Sequence, residues 1–492
     1  MRGGGGMSYI LAIDQGTSSS KAVLFDEEFY QVAVSQEEFR QIYPNPGRVE
    51  HDPRDIILSA MSSVENVVSD ARVSYREIEA IGITNQRETV VAWDAITGQP
   101  LCNAIVWQDR RTAERCKELR EKFGEKIHLK TGLMPDPYFS ATKMEWMMQN
   151  VPAVREASKR RTLRFGTIDS WLVWNLTREK RYVCDYSNAS RTMLFNIREL
   201  KWDGELLDMF GIDEEFLPKV VDSCNPLGAS IYGPEIAGVA GDQQASLFGQ
   251  TAFSRGDAKC TYGTGSFILM NTGSEPKYSR HGLLTTIGWK LGKDIVYAIE
   301  GSIFASGALI TWLKEGLGII ASPPETESLA REVQDNGGVY FSGALTGLGA
   351  PYWDASARGT LIGLTRGTKK GHIVRAVLEY IAFRTREILE LMEEETGIKL
   401  KKLLVDGGVT RNNFLMEMQA SVLGIPVDRS LIKETTALGA AMFSGLCTGL
   451  WDIEVLKNRR ISEVEFEPGG NRMEEEFSKW KEALRRSMNW AR

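Results

Sequence analysis

The sequence predicts an α/β protein, with short apolar strands alternating with amphipathic helical stretches along the whole chain. Two strand–turn–strand units carry the prediction. Tyr9–Ile13 and Lys21–Phe25 flank the polar turn Asp14-Gln15-Gly16-Thr17-Ser18-Ser19-Ser20, and Ala258–Tyr262 and Phe267–Met270 flank Gly263-Thr264-Gly265-Ser266. Both tips pair glycine with threonine, so they are candidate equivalents in a duplicated chain that divides near residue 253. Two tight Gly/Ser turns would also match by chance, and the turns alone leave both readings open.

Composition agrees with a globular protein. Of 492 residues, 42% are apolar, 25% charged and 9% aromatic, which excludes disordered and collagen-like classes. Length alone would suggest about three domains of ~150 residues. The net charge of -6 argues against a nucleic-acid coat or a polybasic tether, so any polyanion must be held by local geometry. Six scattered cysteines form no C-x-x-C, and four dispersed histidines make a zinc site or a Ser-His-Asp triad poor expectations. Reduced thiols of this kind favour a cytoplasmic protein. Residues 1–7 lack the apolar core of a signal peptide and read as a disordered tag or start segment. Without an unbroken run of about 18 apolar residues, membrane insertion is not expected.

Each element follows from its local pattern. Ile78–Thr84 and Thr89–Trp93 are strand-like and flank Asn85-Gln86-Arg87-Glu88. Gly241-Asp242-Gln243-Gln244 opens a short helix with Asp242 expected at its N-cap. Asn336–Trp353 holds five glycines and Pro351, so it reads as a strand and a structured loop. Gly407-Gly408 closes the strand Leu403–Asp406, where backbone must approach something closely. Thr435–Gly445 is a small-residue helix suited to such an approach. Arg472–Trp490 places Met473, Phe477, Trp480, Leu484 and Met488 on one helical face.

Both common phosphate motifs are absent: Gly292-Lys293 continues with Asp294, and Gly263-x-Gly265 is not followed by the third glycine. The two Gly-Thr tips remain, as turns whose N–H groups and hydroxyls could cradle phosphate oxygens or simply close a hairpin. Asp14 ends an apolar strand where a carboxylate would suit Mg²⁺ or an Asx turn. Arg87-Glu88 offers a donor fork beside an acceptor for vicinal hydroxyls, or a solvated charge pair. Trp107 fits a pocket wall or the core.

Taken together and in order, Ile13–Ser19, Arg87-Glu88, Gly241–Gln244 and Tyr262–Gly265 resemble the FGGY carbohydrate kinases. Tyr138-x-Ser140-x-x-Lys143-Met144-x-Trp146 is similar to that family's first signature. Gly359-x-Leu361-x-Gly363-Leu364, running on to His372-Ile373-x-x-Ala376-Val377-Leu378-Glu379, is similar to the second. The similarity spans residues 8–492.

The resemblance implies two ribonuclease H-like domains of the actin and hexokinase type, residues 8–253 and 254–492, flanking an ATP- and substrate-binding cleft. It implies ATP-dependent phosphorylation of glycerol to sn-glycerol 3-phosphate, a step of glycerol uptake and catabolism. Arg87, Glu88, Tyr138, Asp242 and Gln243 would contact the polyol, with Trp107 and Phe267 along its carbon skeleton. Asp242 would be the general base and, with Asp14, lie near the metal, Mg²⁺. Thr17, Ser18, Ser19, Lys21 and Thr264 would hold the phosphates, and Gly307, Gly408 and Asn412 the adenosine end. The family also implies a homodimer or homotetramer. Lys21 stands where many members have arginine, and Thr311 where a glutamine often faces the nucleotide. Cys224–Ala240 lacks the Gly/Arg-rich loop through which some relatives bind fructose 1,6-bisphosphate. Competing readings are a kinase of another polyol or ketose, and an actin-like ATPase with no small-molecule acceptor.

Overall fold

The computed structural model describes residues 8–459 and 462–491; the expected start segment, 1–7, lies outside the described residues. Two mixed sheets organise the chain. The first has five strands in the spatial order Glu235–Gly241, Ile78–Asn85, Tyr9–Gln15, Ser19–Asp26, Gln31–Glu38. Its first two chain segments form the expected hairpin, with Gln15 opposite Ser20, and Ile78–Asn85 runs parallel to Tyr9–Gln15. Tyr9–Gln15 is buried on both faces, which is why its run Ile10–Ile13 is continuously apolar rather than alternating.

The second sheet has seven strands in the order Leu284–Leu291, Asp294–Ile303, Ser266–Gly273, Ala258–Tyr262, Leu403–Asp406, Val427–Ser430, Ser462–Phe466. Without its two outermost strands, this order reproduces the first sheet. An antiparallel hairpin continues antiparallel on one side, and two parallel strands are added on the other. The duplication left open by two short turns is therefore present at the level of strand order. Residues 86–234, inserted between the last two strands of the first sheet, build an additional lobe of helices and short strands. That insertion is why length alone overcounts the domains.

Helices that follow the fifth strand of each sheet, Asp242–Gly249 and Thr435–Thr448, are topological equivalents, and they pack against each other. A Cβ on Gly439 would lie 1.8 Å from the Ala245 carbonyl oxygen, and one on Gly249 would lie 2.0 Å from that of Thr435. Thr435–Thr448 also rests on the first sheet, where Gly82 and Gly238 leave room for the backbone at Ala440 and Ser444. The small residues foreseen for close approach thus let a helix of the C-terminal half enter a core shared with Ile10, Ala12 and Val23.

Three expectations are adjusted. Asp242 is the first residue of its helix, and Gly241 is the cap. The C-terminal helix is shorter than its apolar stripe, Glu474–Arg486, because Met473 turns into the left-handed region before it. The strand after Arg87-Glu88 is Val91–Asp94 rather than Thr89–Trp93, and it pairs with Leu163–Gly166 in the inserted lobe. Asn336–Trp353 contains one short strand, Tyr340–Ser342, followed by turns. Among the described residues, no helix is long and apolar enough to cross a membrane. All six cysteines are free; Cys116, Cys184 and Cys260 are buried and the others half-buried.

Candidate active site

The polar connection after Ile78–Asn85 turns into the space between the two sheets. Glu88 there adopts φ 62°, a left-handed conformation that is costly for a residue with a Cβ and is found where surrounding contacts impose it. Ser140 supplies one such contact by donating its hydroxyl to the Glu88 carbonyl at 3.1 Å. Lys143, one turn along the same helix, donates its buried ammonium to the carbonyls of Tyr138 and Phe139 at 2.6 and 3.2 Å. Burial lowers that lysine to about 7. These two residues of the first signature therefore shape the turns that present Glu88 and Tyr138.

Arg87 is the hub. Its Nε lies 3.1 Å from Asp242 Oδ1 and 3.9 Å from Glu88 Oε1, and Nη2 lies 3.3 Å from the Tyr138 hydroxyl. Nη1 donates to Gln244 at 3.3 Å, and the fork Nη1/Nη2 meets Glu300 Oε2 and Oε1 at 2.6 and 3.1 Å. Burial opposes the Arg87 charge, but Glu300, Tyr138, Glu88 and Asp242 more than offset it and hold it firmly protonated. Burial pushes the Glu88 and Asp242 carboxyls above the ordinary range against the pull of Arg191 and Arg87 on Glu88 and of Arg87 on Asp242. Trp107 closes one side: its ring meets Tyr138 edge-on at 5.6 Å, and Nε1 donates to the Thr17 hydroxyl at 2.9 Å. That bond ties the polyol-side candidates to the first hairpin tip.

At that tip, Gly16 donates to the Ser19 carbonyl at 2.9 Å, and Ser18 is exposed. Lys21 pairs with Glu434, just before the shared-core helix, at 2.6 Å. Burial, reinforced by Glu434 and Asp242 and opposed by Lys21, raises the Asp14 carboxyl to about 7. A cation beside such carboxylates would relieve their mutual repulsion, which is the chemistry Mg²⁺ meets when one or two carboxylates complete a shell of water and phosphate oxygens. Among the described residues, no group of three or more His, Cys, Asp or Glu could hold a metal by itself.

The second tip packs on a helix start. Gly307 donates to the Gly263 carbonyl at 2.9 Å, and Ala308 to that of Thr264 at 3.0 Å. A cleft of about 580 Å³ opens beside it, lined by Thr264, Gly307, Gly408 and Asn412 together with Thr311, Pro323 and Val409. Gly407 (φ 95°) lies so close to the Tyr262 backbone that no Cβ fits, whereas Gly408 faces open space. Asn412 lines the cleft while capping Asn413–Leu423 through Leu415 N at 2.9 Å.

The structure thus gathers Arg87, Glu88, Tyr138, Trp107 and Asp242 into one cluster and Thr264, Gly307, Gly408 and Asn412 into one cleft. Gln243, next to Asp242, accepts through its Oε1 from buried Lys259, a residue held below its usual pKa by burial against the pull of Asp406 and Asp242. Phe267 contributes by register: it pairs with Ser302, two residues from Glu300, so it shares the sheet face that meets Arg87. Glu300, Arg191 and Lys259 were not foreseen. For Glu300 and Lys259 a signal was present, because a charge inside a largely apolar strand such as Asp294–Ile303 or Ala258–Tyr262 must find a partner when buried.

Models of the FGGY family of carbohydrate kinases match residues 9–249 (N-terminal domain) and 258–446 (C-terminal domain). Glycerol kinase 2 of Thermotoga maritima is 52% identical over 98% of this chain and 99% of its own, and the glycerol kinase of Caldanaerobacter subterraneus is 54% identical with the same coverage. The crystal structure of Plasmodium falciparum glycerol kinase with ADP superimposes with a TM-score of 0.91 at 37% identity, covering 98% of each chain. A xylulose kinase from Lactobacillus acidophilus, 22% identical with a TM-score of 0.86, shares the fold. With two halves of one topology, a polar cluster between them and both family domains matched in order, the chain belongs to the FGGY family of carbohydrate kinases.

Proposed function

We propose that the protein transfers the γ-phosphoryl group of ATP to a terminal hydroxyl of glycerol, giving sn-glycerol 3-phosphate and ADP. The observation that carries this reading is the Arg87 hub, which sets a guanidinium, a phenol and a carboxylate around one small space beside the first hairpin tip. Such a set offers both donors and acceptors to the hydroxyls of a short polyol, and the Trp107 and Phe267 rings suit its carbon skeleton. The relatives named glycerol kinase, about half identical over nearly the whole chain, support the same acceptor.

In this reading Asp242 takes the hydroxyl proton as the oxygen–phosphorus bond forms and the bond to the β-phosphate oxygen breaks. Positioned acid–base help of this kind contributes roughly 10²–10⁴ in rate. Arg87, Glu88, Tyr138 and Gln243 orient the polyol; Thr17, Ser18, Ser19, Lys21 and Thr264 meet the phosphates; Gly307, Gly408 and Asn412 border the adenosine. Asp14 and Asp242 would hold Mg²⁺, which when bound neutralises phosphate charge. Residues 8–253 would then carry the acceptor site and first phosphate turn, and 254–492 the second turn and the nucleoside end. Closing the space between them excludes water, a competing acceptor far more abundant than any polyol. A cytoplasmic homodimer or homotetramer accompanies this reading, and light scattering of the purified chain tests the assembly.

The deciding assay measures ADP release with glycerol, dihydroxyacetone, erythritol and xylulose. Glycerol is expected to give the highest kcat/KM. Preference for a pentulose would replace the acceptor, and turnover indifferent to every polyol would favour an ATPase without one.

A further inference from the structure

We infer that Glu300 is a positioning residue of the acceptor site, delivered from the C-terminal half to fix the Arg87 guanidinium, with Arg191 locking that carboxylate in place; this rests on the glycerol reading above. Glu300 lies on Asp294–Ile303, opposite Leu269 and Leu284, and is 0% exposed. Its two oxygens take the Nη1 and Nη2 edge of Arg87 at 2.6 and 3.1 Å, a bidentate geometry that fixes the plane of the fork as well as its position. Arg191, also 0% exposed, donates Nη2 to the same Glu300 Oε1 at 3.0 Å and Nε to Glu88 Oε1 at 2.6 Å.

The four charges therefore form a closed square of two guanidiniums and two carboxylates. One edge of Arg87 is committed to protein. Its Nε side and the outer Nη2 proton are left toward Asp242 and Tyr138, both partly open to the space the acceptor would fill. Burial opposes the Glu300 charge, and the two guanidiniums overcome it and hold the carboxyl at about 2, so the clamp is ionised at any working pH. A carboxylate serving only to join the halves would not need to grip the one guanidinium that faces the acceptor. Gripping it there presets the binding geometry before glycerol arrives, which is where affinity is gained most cheaply. Because Glu300 and Arg87 come from opposite halves, acceptor affinity depends on how the halves are seated.

The test is steady-state kinetics and thermal melting of the full chain carrying Glu300→Gln, Glu300→Asp, Arg87→Ala, or Arg87→Ala with Glu300→Gln. Glu300→Gln is expected to raise the glycerol KM about tenfold or more while kcat and the ATP KM stay within about twofold. Glu300→Asp, which keeps the charge but is one methylene short, should fall between. In the double variant, glycerol kcat/KM should be no lower than for Arg87→Ala alone, since a residue acting through Arg87 has nothing left to position. Should Glu300→Gln fail to fold, Glu300→Asp decides. A folded variant with the wild-type glycerol KM would overturn the inference. So would kcat and both KM values shifting together with a lowered melting temperature, or a Glu300→Gln penalty undiminished in the Arg87→Ala background. A wild-type protein without glycerol-dependent turnover would instead remove the acceptor reading on which the inference stands.

Discussion

Asp242 and Arg87 touch at 3.1 Å yet have different tasks, and substitution should separate them. Asp242→Asn keeps the shape and the backbone contact to Gln243 N but removes the proton acceptor. Turnover is expected to fall at least ~100-fold with ADP affinity unchanged, checked by coupled assay and by nucleotide titration. Near-normal turnover would mean that another group, or no base, takes the proton. Arg87→Ala removes donors that face the acceptor and leaves Glu300 and Glu88 buried with Arg191 as their remaining guanidinium. Its expected effect is a glycerol kcat/KM at least ~100-fold lower with little change in ATP KM. Equal losses toward both substrates would place the damage in the fold. At this scale the sequence was legible where chemistry clusters locally, as in Arg87-Glu88 and the Gly-Thr tips. It was less legible where a partner arrives from 213 residues away, as Glu300 does for Arg87. Spacing along the chain carries no information about such pairs; only the cost of burying an unpaired charge does.

Among the elements, Thr435–Thr448 shows how composition becomes architecture. Its glycines and alanines are poor material for an independent core, but they bring its backbone against Ala245 and onto the sheet at Gly82 and Gly238. Gly439→Ala would drive a methyl to 1.8 Å from the Ala245 carbonyl oxygen, and backbone on both sides leaves no flexible neighbour to yield. A loss of roughly 2–3 kcal/mol is expected in urea unfolding, beyond any gain in helix propensity. The contrast is Gly204→Ala, at the start of Gly204–Phe210, where an added Cβ meets nothing within 4 Å. That variant should be neutral or slightly stabilising. If both behave alike, the contact between the two equivalent helices is looser than its geometry. The small-residue run and both hairpins could be read from sequence because their causes are local. The end of the last helix could not, since its apolar stripe continues past Arg486 to Met488 while the chain leaves the helix.

Across the whole molecule, one strand order occurs twice, and the inserted segment 86–234 hides the repetition from any comparison of short turns. Folding such a chain buries many ionisable groups, and their shifts set its response to acid. Asp169 and Glu379 are raised to about 7 by burial, so between pH 7 and about 4 the folded state holds more protons at these sites and gains stability on acidification. His51 works in the opposite sense. It is 0% exposed, its Nε2 lies 2.8 Å from Gln41 Oε1, and its Nδ1 has no partner among the described residues. An imidazolium there would bury an unpaired donor, and burial lowers the group to about 4. With the folded value below the unfolded one of about 6.5, the unfolded chain binds the extra proton. Stability is therefore full above pH ~6.5 and is lost as pH falls toward 4, by on the order of 2 kcal/mol between pH 7 and pH 5. His51→Gln removes this proton uptake and retains a hydrogen-bonding side chain near Gln41. Urea unfolding of both proteins at pH 7 and pH 5 should show the variant losing less stability on acidification than the parent, by about that amount. Parallel losses would mean that His51 is charged in the folded protein.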